Sequence, residues 1–180
     1  FTSTLFDIIK KEKPDYIGVA FDTWAPTQRH IEFVEYKANR QETPEDIINS
    51  IPVIKDLLNA LNIPVLEADG YEADDIIGTF SKKGEAEGLE VFMVTPDKDF
   101  GQLVSENIFL YKPSYKGPGF DTLGKDDILK RWNIKDTLQV IDVLAMMGDS
   151  VDNIPGIPGV GEKTAMKLIE EYGSLENLLE

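Results

Sequence analysis

Apolar residues along the chain recur first at helical and then at strand spacing. Positions 1, 5, 8 and 9 share one helical face that ends before Pro14. Residues 16–21 form a short, almost uninterrupted apolar run, the pattern of a strand buried on both faces of a parallel sheet. Residues 23–42 lose this periodicity and gather Arg29, His30, Lys37 and Arg40, a long and locally basic excursion. Thr43-Pro44-Glu45-Asp46 then supplies a cap, a proline at the first helical position and early acids. A helix follows, striped by Ile47, Ile48, Ile51, Ile54, Leu57, Leu58 and Leu61, with Pro52 predicting a kink or break. Residues 63–66, 90–95 and 108–111 predict three more strands, residues 72–87 a helix, and 116–119 a surface loop. From about Gly124 the pattern is wholly helical. Strands alternating with helices imply an α/β fold, a mostly parallel sheet flanked by helices over residues 1–123, followed by a helical region over 124–180.

Composition narrows the chemistry. The 180 residues are 42% hydrophobic, and a chain of this size can bury about two-thirds of its surface. No apolar run approaches the roughly 18 residues that a membrane span needs, and the first residues show no export signal, so the expectation is a soluble, cytoplasmic protein with no membrane partner. The absence of cysteine removes disulfides, thiolate metal sites and cysteine nucleophiles. A single histidine, His30, argues against zinc chemistry and histidine-based triads. With 33 acidic and 18 basic residues the net charge is −15, which on its own argues against nucleic acid. Net charge governs only nonspecific attraction, however, and bound cations invert the field locally.

The position of the acids therefore decides the matter. In open α/β sheets ligands bind beyond the C-terminal ends of the strands. Asp22 ends the first visible strand; Glu72, Asp74 and Asp75 follow the second; Asp97 and Asp99 follow the third; Asp149 and Asp152 follow the apolar helix over 138–147. Each group also has a plainer reading, as a favourable helix N-terminus, an ordinary turn or a capping segment. Eight carboxylates at one sheet edge would repel one another unless cations lay among them. Oxygen ligands without cysteine select magnesium or manganese, and eight acids suggest two or more ions, the arrangement that promotes in-line attack on a phosphodiester.

Gly156-Ile-Pro-Gly159-Val-Gly161-Glu-Lys163-Thr164 fails as a nucleotide P-loop, because Glu162 stands where that motif needs lysine and no buried strand precedes it. It reads instead as a tight hairpin opening a helix over 162–172. Gly159 and Gly161 let the backbone approach a phosphate, with Lys163 and Lys167 adding charge. A phosphate grip together with an acidic cluster favours long nucleic acid over a small phosphoester.

Taken together, Phe21-Asp22, Arg29-His30, Tyr36-Lys37-Ala-Asn-Arg40, Gly70-Tyr-Glu-Ala-Asp-Asp75, Thr95-Pro-Asp-Lys-Asp99, Met147-Gly-Asp-Ser-Val-Asp-Asn-Ile-Pro-Gly156 and Gly159-Val-Gly-Glu-Lys-Thr-Ala165 resemble, in the same order, the 5′-nuclease domain of bacterial DNA polymerase I and, more widely, the flap endonucleases. The resemblance implies a PIN-like core and a helix-three-turn-helix, or helix-hairpin-helix, DNA-binding element. It implies a metal-dependent 5′-3′ exonuclease and flap endonuclease acting in replication and repair on 5′-flap, branched or nicked duplex DNA. Asp22, Glu72, Asp74, Asp75, Asp97, Asp99, Asp149 and Asp152 fall on the family's metal-binding acids. Residues 23–42 fall on the arch met by the 5′ single strand, where Tyr36 would contact the strand while Arg29, Lys37 and Arg40 steer the scissile phosphate, with Lys37 among the catalytic residues. Gly159, Gly161, Lys163, Thr164 and Lys167 fall on the duplex-gripping element, which in this family often holds a potassium ion. His30 reads as an arch residue rather than a general base. The resemblance further implies a monomer continuous with a polymerase region and associated with the nucleoid during function, and an upstream strand carrying one more metal-binding aspartate, without which the first metal site would be incomplete. The competing expectations are a non-catalytic DNA-binding fragment, a PIN-type endoribonuclease and a response-regulator-like phosphoacceptor domain, the last needing fewer acids and no hairpin.

Overall fold

The computed structural model describes residues 1–114, 117 and 119–180. The chain divides into two units, residues 1–32 with 40–76, and residues 33–39 with 77–180.

The first unit contains α1 (Thr2–Glu12), β1 (Val19–Ala20), α2 (Gln28–Glu32), α3 (Glu45–Ala60), β2 (Val65–Leu66) and the first turn of α4 (Ala73–Ala86). α1 stops where Lys13 turns left-handed at φ 47°, ahead of Pro14, which has no amide to continue the helix. β1 and β2 pair in parallel, Val19 opposite Val65 and Ala20 opposite Leu66. Leu5, Leu58 and Ile63 form the buried core beneath them, with Ile9, Ile17, Phe21 and Ile54 packed around it.

Three expectations are corrected here. The apolar run at 16–21 is not buried on both faces: Tyr16 is 79% exposed and both β1 residues are half-buried, because a two-stranded ribbon leaves an open edge on each side. Pro44 itself occupies the cap position of α3, one residue later than the Thr43 cap expected. The helix also runs through Pro52 without a break. Pro52 is exposed, so water can meet the carbonyl that loses its amide partner.

In the second unit β3 (Val91–Val94) lies parallel to β4 (Ile108–Pro113), and β4 antiparallel to β5 (Phe120–Leu123). Neither β5 nor the 3-10 helix Lys98–Leu103 after β3 was expected from periodicity. β5 is too short to alternate visibly, and it is anchored by the stacking of Phe120 on Tyr111 at 4.7 Å between ring centres. Of the surface loop expected at 116–119, Lys116 and Pro118 lie outside the described residues. The helices α5 (Lys125–Trp132), α6 (Gln139–Met147), α7 (Glu162–Tyr172) and α8 (Leu175–Leu179) follow. Their apolar faces meet the sheet in one core that includes Met93, Phe100, Ile108, Leu110, Trp132, Val140, Met146 and Ile169. Among the described residues no helix is long and apolar enough to cross a membrane.

Candidate metal centre and nucleic-acid interface

In the first unit the acids gather at the start of α4. Glu72 is 7% exposed and precedes the helix, and Asp75 reaches back to accept the Glu72 amide at 3.0 Å, a capping contact. Asp22, carried to this point by β1, accepts the Ala73 amide at 2.7 Å, placing a second carboxylate at the positive end of the helix. Arg29 forks onto Asp75 with two contacts of 2.7 Å and approaches Glu72 at 3.9 Å. Asp74 is exposed on the same first turn. Arg40 is exposed, and His30 Nδ1 lies 2.7 Å from the Thr27 hydroxyl, which ties the ring to its own helix start.

In the second unit Asp97 caps the 3-10 helix, its Oδ1 accepting the Asp99 amide at 2.9 Å. Asp149 accepts the amides of Val151 at 2.7 Å and Asp152 at 3.3 Å. Paired backbone bonds between Asp149 and Ile154 close the loop between them. Asp99 is pushed up to about 6, chiefly by burial and then by the charges of Asp97, Asp149 and Asp152, with Lys98 pulling the other way. Its Oδ1 is buried without a hydrogen-bond partner. A carboxylate oxygen left bare among three other carboxylates fits a hard cation better than it fits any protein donor. Among the described residues, no three acidic or histidine side chains meet closely enough, as they stand, to hold a metal ion.

Tyr36 and Lys37 belong to the second unit. Tyr36 is buried, its hydroxyl donates to Asp152 at 3.4 Å, and the Lys37 ammonium lies 4.9 Å from the centre of its ring. Sequence reasoning missed Asn39 and Asn153, whose side chains join residues 35–39 to the acidic loop. The only signal for Asn153 was its place in an Asp-Asn-Ile-Pro turn, where asparagine tolerates the left-handed backbone.

That loop is closed by two glycines set back to back. A Cβ on Gly148 would fall 2.3 Å from the Gly156 nitrogen, and one on Gly156 would fall 2.3 Å from the Met147 carbonyl. Beyond it the hairpin turns at Gly159, φ 82°, and Val160 donates its amide to the Ile157 carbonyl at 2.9 Å. Gly161 stands at the cap position of α7 with no side chain capping the helix, and a Cβ there would meet only open space. Lys163, Thr164 and Lys167 are exposed on the first turns of α7. Arg131 forks onto Glu162 at 2.9 and 3.1 Å, holding the Glu162 carboxyl below its usual range.

The same fold recurs in known proteins. A family model described as 5′-3′ exonuclease, N-terminal resolvase-like domain, matches residues 1–133, and one described as 5′-3′ exonuclease, C-terminal SAM fold, matches residues 136–180. The chain belongs to the 5′-3′ exonuclease family. Within it, a 5′-3′ exonuclease of Aquifex aeolicus (strain VF5) is 42% identical over 99% of this chain and 60% of the relative. DNA polymerase I of Bacillus caldotenax is 39% identical over 99% of this chain and 20% of the relative. The chain thus spans three-fifths of the length of the Aquifex exonuclease and one-fifth of that of the Bacillus polymerase. Among solved structures, the T5 D15 protein crystallised with metal ions superposes with a TM-score of 0.79 at 24% identity, covering 98% of this chain and 69% of that one. T5 5′-exonuclease with bound zinc gives the same TM-score over 99% of this chain and 68% of that one, also at 24% identity. The catalytic core of Rad2 in complex with DNA gives 0.56 at 22% identity, covering 88% and 48%. At these identities the structural likeness establishes the fold, an α/β core joined to a SAM-like helical part.

Proposed function

We infer that the chain is the 5′-nuclease part of a bacterial DNA polymerase I, a 5′-3′ exonuclease and flap endonuclease that hydrolyses phosphodiesters of 5′-flap, branched or nicked duplex DNA. The observation that carries this reading is the bare, buried Asp99 oxygen among Asp97, Asp149 and Asp152, in a chain of this family. Asp22, Glu72, Asp74 and Asp75 of the first unit and Asp97, Asp99, Asp149 and Asp152 of the second would hold two or more magnesium or manganese ions. When bound, the ions supply charge stabilisation for in-line attack of water on the phosphodiester. The chain's own residues do the rest. Arg29, Lys37 and Arg40 attract and orient the scissile phosphate; Tyr36, expected to contact the 5′ strand itself, is buried with its hydroxyl on Asp152 and instead supports the segment that meets the strand. Gly159, Gly161, Lys163, Thr164 and Lys167 grip one backbone phosphate of the duplex and read no bases, potassium being the further cation expected at that hairpin. Cleavage leaves a 5′-phosphate on the released piece and a 3′-hydroxyl behind.

We divide the chain, on this reading, into an α/β nuclease core over residues 1–123 and a helical DNA-gripping region over 124–180. The whole protein would be a cytoplasmic, nucleoid-associated monomer continuous with a polymerase region and serving replication and repair. The test is cleavage of 5′-flap DNA by the complete protein in magnesium. Asp149→Asn should lower turnover by about 100-fold or more while flap binding stays within about twofold. Binding without cutting by the unaltered protein would instead mark a DNA-binding module, and cutting confined to RNA a PIN-type endoribonuclease.

A further inference from the structure

Asn153 follows Asp152 and has a left-handed backbone, φ 58°. A glycine would meet that turn as well, so the turn alone does not call for asparagine. The side chain is used at both ends, and both partners are more than a hundred residues away in sequence. Its Nδ2 donates to the Glu35 carbonyl at 2.8 Å, and its Oδ1 accepts from Asn39 Nδ2 at 2.9 Å. Between those two contacts the Lys37 amide donates to the Asp152 carbonyl at 2.9 Å. Lys37 is itself left-handed at φ 58°, a conformation that a lysine adopts only when its surroundings hold it. Tyr36 completes the arrangement, its hydroxyl on the Asp152 carboxylate. Beside Asn153 lies an open hollow of about 220 Å³ lined by Phe33, Glu35, Ser150, Asn153, Ile154 and Pro155. Water therefore reaches this junction, and the contacts can part without disrupting a sealed core.

We propose that Asn153 is a positioning residue for the cleavage reaction: its amide fastens residues 35–39 to the loop carrying Asp149 and Asp152, and so fixes where the Asp152 carboxylate points. This rests on the nuclease reading above. Occupation of the 35–39 segment by a 5′ single strand would thereby be communicated to an acid proposed to hold a cation, with the Asn153 side chain bracing the direct Tyr36 and Lys37 contacts to Asp152. Partners that orient metal ligands typically change affinity or activity by about 10- to 100-fold when lost.

Asn153→Gly keeps the turn and deletes the fastening; Asn39→Ala, at an exposed position, removes one contact of it. In the complete protein Asn153→Gly should leave thermal unfolding within a few degrees and speed hydrogen exchange of the Lys37 amide. It should weaken Mn²⁺ binding, read by electron paramagnetic resonance without DNA, by about 10-fold. On flap DNA kcat should fall by about 10-fold with KM within about twofold. Asn39→Ala should move each readout the same way by less, and the double variant should match Asn153→Gly, because the lost contacts are shared. Unchanged Mn²⁺ affinity in Asn153→Gly, or additive losses in the double variant, overturns the proposal. If Asn153→Gly does not fold, unchanged Mn²⁺ affinity in Asn39→Ala overturns it. If the unaltered protein cuts no flap, the nuclease reading fails by itself, and Mn²⁺ affinity and Lys37 exchange still decide whether Asn153 positions Asp152.

Discussion

The two units hold their acids in different ways. In the first, Asp22 and Asp75 rest on the opening amides of α4 while Arg29 answers the charge of Asp75. In the second, Asp99 is left among Asp97, Asp149 and Asp152 with a bare buried oxygen. Their cores differ to match. The first unit sets three buried residues under a two-stranded ribbon, and the second packs a three-stranded sheet against helices around Trp132. A large core can bear unrelieved repulsion that a small one could not. On the nuclease reading proposed above, the second unit is where a bound cation would relieve electrostatic strain.

The largest expected effect separates the cores. Trp132→Ala should cost about 3–5 kcal/mol in denaturant unfolding and Leu58→Ala, in the smaller core, about 2–3 kcal/mol; an equal loss at both would remove the contrast. Next comes pH. Asp99 is raised to about 6 from an ordinary 3.8, so between about pH 4 and 6 the folded state binds the proton that the unfolded chain has released. Stability of the metal-free protein should therefore fall as pH rises through that window, by roughly 2 kcal/mol after allowance for partial solvent screening. Asp99→Asn should flatten this dependence. Thermal melts in a chelator across that range check both; a fall in stability that Asp99→Asn leaves intact would place the strain elsewhere, and a rise would remove it. The smallest effect belongs to the first unit. Arg29 is about half exposed, so Arg29→Ala should cost only about 0.5–1 kcal/mol, recovered on adding Mn²⁺.

How much of this was legible depends on whether the determinant was local. α7 begins and ends where its glycines and apolar spacing predict, Glu162–Tyr172, and α6 starts one residue after the expected position. The acids at the strand ends were legible as a pattern because one short strand followed by an acid is a local signal. The 3-10 helix at Lys98–Leu103 was not, since it depends on Asp97 capping and on burial of Phe100. Nor was the Arg29 fork on Asp75, which joins residues 46 apart, or the burial of Tyr36 within a polar stretch whose hydroxyl finds Asp152, 116 residues on. Pairings of that range are chosen by topology, which periodicity does not encode.

The back-to-back glycines at 148 and 156 carry a consequence for how such a chain can diverge. With less than 3 Å available at either position, a methyl group at one cannot be accommodated by trimming the other, which is already bare. The two sites are jointly locked, and no compensating pair exists. Variation is thereby confined to the residues they enclose. Descendants of this chain can retune the loop's charge and its grip on residues 35–39, but they inherit its span unaltered.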